Sequence, residues 1–215
     1  MESIFCVLVS GLLLSSGYQV GLTDIDYLAT SWLGGYLPFN LFDGKTNTCW
    51  AEGVSGDGSG TNGYMEWYNG VVRNRNGVGE QILVSFDRKI AVDKITIYNG
   101  YMKNGEVWLR NRRVKRISIH TAIPLKPLPA NYQELSEKEY YKYFRYFSYE
   151  FTIPDIRQVF EIDLSKYQLT NVSWFRFTIL STYPGTTYDD TCISEIEFWY
   201  QGQKYEVANL EQAKR

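Results

Sequence analysis

The chain has one histidine, His120, among its 215 residues, and this narrows its chemistry at once. A serine or cysteine nucleophile ordinarily gives its proton to an imidazole. His120 shares strand parity with Arg116 and Ser118, which puts it on a polar sheet face. Zinc takes three or four His, Cys or carboxylate ligands at workable spacing, and no such spacing occurs. Paired carboxylates for bond hydrolysis stay open on numbers alone, since any two of 24 acidic residues can meet in space, but no local motif favours a pair. Gly56, Gly58, Gly60 and Gly63 imitate a phosphate-cradling loop, yet no strand leads in and no helix carrying Lys and Ser or Thr leads out. The chain reads as a non-enzyme.

The formal net charge is -2 with both signs interspersed, so there is no basic field for a phosphate backbone and nucleic acid is not expected as a partner. The local cluster Arg110, Arg112, Arg113, Lys115 and Arg116 reads as a solvated strand face. Ile4 to Leu14 form an apolar run of leader length, and Ser15, Ser16 and Gly17 suit cleavage after Gly17. Glu2 and the lack of Lys or Arg before the run keep a buried first strand as the alternative. The run is too short to span a bilayer. A leader over 1–17 leaves 18–215 as a single binding domain, secreted or held in the periplasm or cell envelope. It also removes Cys6 and leaves Cys49 and Cys192, either bridged in an oxidising compartment or buried as free thiols.

Period-2 alternation places strands around Ile82, Val84 and Phe86, then Ile95 and Ile97, then Ile117 and Ile119. It recurs at Phe160, Ile162 and Leu164, at Phe175, Phe177 and Ile179, and at Ile196 and Phe198. Turn-rich segments separate them, so the expected class is all-β, an antiparallel β-sandwich. One helix signal stands out: Ser136 and Glu139 form a capping box, with Tyr140, Tyr143, Phe144 and Phe147 at i, i+3, i+4 and i+7, which predicts a short helical insertion over Ser136 to Arg145. A strand from Phe147 to Ile153 follows it. Between Gly53 and Gly79 lies a long loop or hairpin rich in Gly and Asn.

Three polar segments carry a resemblance. The first is Asn40-Leu41-Phe42-Asp43-Gly44-Lys45-Thr46-Asn47-Thr48-Cys49-Trp50-Ala51-Glu52-Gly53. The second runs Tyr98-Asn99-Gly100-Tyr101-Met102-Lys103 and reaches Asn111-Arg112-Arg113-Val114-Lys115. The third is Tyr183-Pro184-Gly185-Thr186-Thr187-Tyr188-Asp189-Asp190-Thr191-Cys192-Ile193-Ser194-Glu195-Ile196. In this order they resemble the NADase-type glycan-binding domain of the galactose-binding-like, discoidin-related sandwiches, over a core of about 29–200. The resemblance implies a jelly-roll-like sandwich and a non-catalytic, carbohydrate-binding role. Two departures stand out: Thr61 to Val78 intervene before Gly79-Glu80-Gln81-Ile82, where Gln81 replaces an aromatic, and the helix around Ser136 to Arg145 sits where many relatives have a short connection.

Sugar recognition needs flat aromatic faces beside fixed donors and acceptors. Trp50, Tyr101, Trp108 and Tyr183 are candidate faces, while Trp174 and Trp199 read as core. Glu52, Asn99, Asn111, Arg113 and Asp190 are candidate polar partners. Arg113 has a second reading, as the bidentate partner of Asp189 or Asp190. The resemblance also implies a structural Ca²⁺ under the Asp-Gly loop, at positions matching Asp43, Thr48 and Glu195, whose oxygens suit a hard cation. The expected partner is a glycan or glycoconjugate, or alternatively a protein such as a toxin subunit or surface protein.

Overall fold

The computed structural model describes residues 22–63, 66–68, 71–73 and 77–207. The leader reading at 1–17 and Cys6 lie outside the described residues.

Each alternating run forms a strand. The main strands are β1 (Ile25–Ala29), β2 (Gln81–Val92), β3 (Lys94–Asn99), β4 (Arg112–Pro124), β5 (Phe144–Thr152), β6 (Val159–Asp163), β7 (Leu169–Tyr183) and β8 (Thr191–Tyr200). Hydrogen bonding orders them β1-β2-β7-β4-β5 in one layer and β6-β3-β8 in the other. The strands within each layer pair antiparallel. The layers join at one end, where Thr191 and Cys192 pair in parallel with Arg112 and Arg113.

Alternation decides which side chains meet between the layers. Ile82, Val84 and Phe86 point inward from β2, Phe175 and Phe177 from β7, and Ile95, Ile97, Ile196 and Phe198 from the facing layer, all buried. Phe198 stacks on Phe175 with ring centroids 5.3 Å apart and meets Phe86 edge-on at 5.1 Å. Trp174 and Trp199 are half-buried rather than core. The Trp199 ring lies under Lys94 Nζ at 4.5 Å, and its indole N–H donates to Thr96 Oγ1 at 3.2 Å.

The helical insertion is shorter than its aromatic spacing predicts. Glu137–Tyr140 is one α-helical turn and Tyr141–Tyr143 one 3₁₀ turn. Half of the capping box is present: Ser136 N–H donates to the Glu139 carboxylate at 3.1 Å, while Glu139 N–H donates to the Ser136 carbonyl at 3.0 Å rather than to its hydroxyl. The helix stops because β5 begins at Phe144, opposite Pro124, and the ladder claims the backbone the next turn would use. The Gly-rich stretch contains a two-stranded hairpin, Glu66–Tyr68 against Val71–Arg73.

Phe198 touches both layers, so Phe198→Ala leaves a cavity in the middle of the core. An equilibrium urea titration should show a loss of about 3–5 kcal/mol. A loss under about 1 kcal/mol would mean the layers are not held through this ring.

Candidate functional site

The end at which the layers join is built around Arg113. Its guanidinium is almost fully buried and forms a bidentate pair with Asp155, at 2.8 and 3.0 Å. It also donates to Asn111 O at 2.7 Å and lies 4.4 Å from the centre of the Trp108 ring. Trp108 anchors a six-residue helix, α1 (Gly105–Arg110), through an indole N–H donated to Asn99 O at 2.8 Å. Asn104 caps its start by accepting Val107 N–H, and Asn111 Nδ2 donates back to Val107 O at its end. Gly100 has φ +87°, and a Cβ there would stand 2.7 Å from the Arg113 side chain and 2.8 Å from the Trp108 ring, so only glycine lets this stack close.

The carbonyls at the end of α1 are satisfied by the loop before β8. Thr186 N–H donates to Leu109 O, and Thr187 and Tyr188 N–H both donate to Arg110 O. Gly185 makes the close approach; a Cβ there would meet Arg110 O at 2.6 Å. These bonds hold Tyr188 against α1, where Arg110 lies 5.0 Å from its ring and donates to its hydroxyl at 2.6 Å.

Between α1, this loop and the segment around Leu33 to Tyr36 opens a cavity of about 380 Å³. Tyr36 and Tyr101 stand edge-to-face with centroids 6.0 Å apart and form one wall. Val107, Arg110 and Tyr188 form the other, with Asn111, Asp190 and Lys103 contributing polar groups. Ala51 and Cys192 lie beneath. The Leu33–Tyr36 segment is tied down by Leu33 N–H to Ala51 O at 2.9 Å and Ala51 N–H to Tyr36 O at 3.3 Å.

The cavity brings together three of the sequence-predicted ligand residues: Tyr101, Asn111 and Asp190. Four others are structural. Trp50 is fully buried with its indole N–H on Ser31 O. Asn99 is fully buried and bridges both backbone groups of Val114, at 2.8 and 2.9 Å. Arg113 belongs to the stack above, and its carboxylate partner is Asp155 rather than Asp189 or Asp190. Arg112 takes Asp189 instead, at 2.9 Å. Glu52 is fully buried and accepts Val54 N–H at 2.8 Å and Thr191 N–H at 3.3 Å. Tyr183 is not among the cavity residues; its hydroxyl donates to Ile153 O at 3.0 Å.

Sequence reading missed Leu33, Tyr36, Lys103, Val107 and Arg110 as lining residues. A signal for α1 was present in Asn104 as N-cap and in the i, i+4 pair Glu106 and Arg110, 3.6 Å apart. His120 lies elsewhere, with Nε2 2.7 Å from Ser118 Oγ and 2.8 Å from Asn62 Oδ1. Burial, and then the nearby Arg176 charge, lower its pKa to about 4.

Cys49 and Cys192 are both buried free thiols. Cys192 pairs across the ladder with Ala51, two residues from Cys49. A hydrogen bond with Cys49, and then burial, push the Cys192 thiol well above its ordinary range, so it is a poor nucleophile.

The Asp43 loop docks on β8. Lys45 N–H donates to Asp43 Oδ1 at 3.0 Å and to Glu195 Oε1 at 2.7 Å, and Thr48 Oγ1 bridges Asp43 and Lys45 O. Burial, and then a hydrogen bond with the Asp43 carboxyl, raise Glu195 to about 9. Two carboxyls, a hydroxyl and a carbonyl thus converge as an oxygen-only donor set, which fits a hard cation. Among the described residues no group of three or more His, Cys, Asp and Glu forms a metal cluster, so backbone carbonyls would have to complete the shell. The loop also supports the cavity, because Tyr101 donates its hydroxyl to Asn47 O at 3.2 Å.

This two-layered sandwich, with a cavity among the loops at one end, is the fold of the discoidin-like and galactose-binding-like modules. Residues 62–199 match the family model of the NAD glycohydrolase translocation F5/8 type C domain, and the chain belongs to that family. Solved structures share the fold at low identity. The mycobacterial arabinofuranosyltransferase AftD matches with a TM-score of 0.50 at 13% identity, over 96% of this chain and 13% of that one. A GH31 CBM32-2 module bound to GalNAc matches at 15% identity and TM-score 0.49, over 83% and 99%. The family 32 module of C. perfringens NanJ with galactose matches at 15% and 0.44, over 81% and 92%. No curated protein matches the chain. Among the described residues no helix is long and apolar enough to cross a membrane.

Glu52 offers a pH test. Its carboxyl is raised from 4.5 to about 7, by burial first, with Asp190 and Glu80 adding to it. Because the folded-state pKa is the higher one, the folded protein holds the proton more tightly. Stability should be greatest below pH 4.5 for this group and fall as pH rises through 7, by at most about 3 kcal/mol. Denaturant titrations from pH 5 to 8 should show that decline added to the one Glu195, raised to about 9, imposes over the same window, and Glu52→Gln should make the slope shallower. An identical slope in the variant would remove Glu52 as the cause.

Proposed function

We propose that the chain is a secreted, non-catalytic glycan-binding module whose ligand seats in the cavity between Tyr36, Tyr101, Tyr188 and Asp190. The observation that carries this reading is the cavity itself. Tyrosine rings offer C–H stacking surfaces, and Asp190 and Asn111 offer polar partners for hydroxyls, in a recess sized for one or two sugar rings. Asp190 is the one carboxylate among its described lining residues, so the acid and base pair of a glycoside hydrolase is not assembled there.

A second reading, docking to a protein partner such as a toxin subunit or surface protein, draws on two observations. The family description names translocation, and Tyr146 and Tyr149 are exposed along β5, whose described ladder neighbour is β4 alone. A glycan array separates the two. Under the first reading the wild type binds, and Tyr101→Ala or Asp190→Asn weakens binding about tenfold or more with an unchanged melting temperature. A folded protein that is silent on the array but captures a defined protein partner would favour the second.

A Ca²⁺ ion bound by Asp43, Thr48 and Glu195 would supply charge neutralisation to this oxygen set and fasten the loop that carries Asn47. Saturating Ca²⁺ should raise the melting temperature by about 5–10 °C, and Glu195→Gln should abolish the rise. A melt insensitive to both Ca²⁺ and EDTA, with no metal found by mass spectrometry, would count against the ion.

A further inference from the structure

The basic residues of the joined end differ in how far they are neutralised. Arg113 is paired with Asp155 at 2.8 Å, and Arg112 with Asp189 at 2.9 Å and Asp57 at 3.8 Å. Arg116 is paired with Glu150. The two cations that line the cavity are not treated this way. Lys103 is exposed and forms no ion pair among the described residues. Arg110 has only Glu106, one helical turn away at 3.6 Å, whose side chain is 80% exposed.

The Arg110 guanidinium is nevertheless held in place. It lies over the Tyr188 ring and donates to the Tyr188 hydroxyl, and Tyr188 is fixed by its backbone bond to Arg110 O. A cation that is oriented and paired only with a solvent-exposed carboxylate is preorganised for an anion, because the ordering cost is met before binding. Against Lys103 and Arg110 the lining sets one carboxylate, Asp190, so the recess carries a positive excess in a chain of net charge -2.

We infer that the cavity selects anionic saccharides, with Lys103 and Arg110 taking the acidic group, the tyrosines the ring, and Asp190 the hydroxyls. This rests on the glycan-binding reading of the same cavity and adds the charge class of the ligand. Charge-assisted contacts to a carboxylate or sulfate are stronger than neutral ones. Because Lys103 is exposed, the selection is sensitive to ionic strength.

The experiment measures binding of the full chain to uronic acid oligosaccharides and to the same oligosaccharides methyl-esterified, beside sialylated, sulfated and neutral glycans on an array. The free acids, or the sialylated or sulfated glycans, should bind about tenfold or more above their uncharged counterparts. That preference should shrink when salt is raised to 0.5 M. Lys103→Gln should lose most of it, and Lys103→Glu should reverse it. Both changes fall on an exposed side chain, and an unchanged melting temperature confirms the fold. Equal or better binding of esters and neutral glycans would overturn the charge inference and leave glycan binding standing. Silence of the folded protein towards every glycan would overturn both.

Discussion

A guanidinium buried where two sheets join is the constraint on which the binding end depends. A buried cation left unpaired costs about 3–5 kcal/mol, a large share of a domain's ordinary stability of about 5–15 kcal/mol, so everything around Arg113 must be arranged to satisfy it. Asp155, just after β5, has to reach it, the Asn111 carbonyl has to turn toward it, and Trp108 has to lie flat beneath it. Once Trp108 is in place, α1 follows although it is only six residues long. A helix that short does not form on its own propensity; tertiary anchoring supplies what propensity does not. The cavity wall is thus a consequence of how one charge is buried.

The opposite wall depends on a second set of ties. Tyr101 follows Gly100 and bonds to Asn47 in the loop that begins at Asp43. That loop in turn hangs on Glu195 in β8 through Lys45 N–H. The two walls therefore report to different groups, one to Arg113 and one to the carboxyls of Asp43 and Glu195. A change that loosens the Asp43 loop is felt at Tyr101 and leaves the α1 wall standing.

The body of the sandwich was legible in the sequence, because a sheet buried on one face must alternate, and Ile82, Val84 and Phe86 or Phe175, Phe177 and Ile179 do so. Parity stops being informative near the join. Register shifts fall between Ile179 and Ser181 and again between Ser181 and Thr182 as β7 pairs with β4, and each one changes the face to which later residues point. Arg113 and Val114 are consequently both buried in succession. No alternation rule could say that Arg113 turns inward while Arg110, three positions earlier, lines the cavity. The same limit explains Asn99 and Glu52, polar residues that look like ligand groups and serve the backbone instead. It explains the overlong helix as well: the spacing from Tyr140 to Phe147 fits a helix, but pairing of β5 with β4 outweighs a local preference worth only tenths of a kcal/mol per residue.

The distribution of unfavourable groups separates the scaffold from the binding end. Between the layers the buried side chains are almost wholly apolar and meet as packed rings. The carboxyls whose burial raises them furthest, Glu52 and Glu195, lie instead behind and beside the cavity, in the loop after Ala51 and in the middle of β8. A sequence shaped for stability alone would have no reason to place two acids there, and perturbed carboxyls gather where a site has to be formed. Glu52 shows how the cost is made useful. By accepting Val54 and Thr191 N–H it ties the turn after Ala51 to the residue that follows Asp190, so a group that weakens the fold at neutral pH holds the floor of the cavity next to the one carboxylate that faces into it.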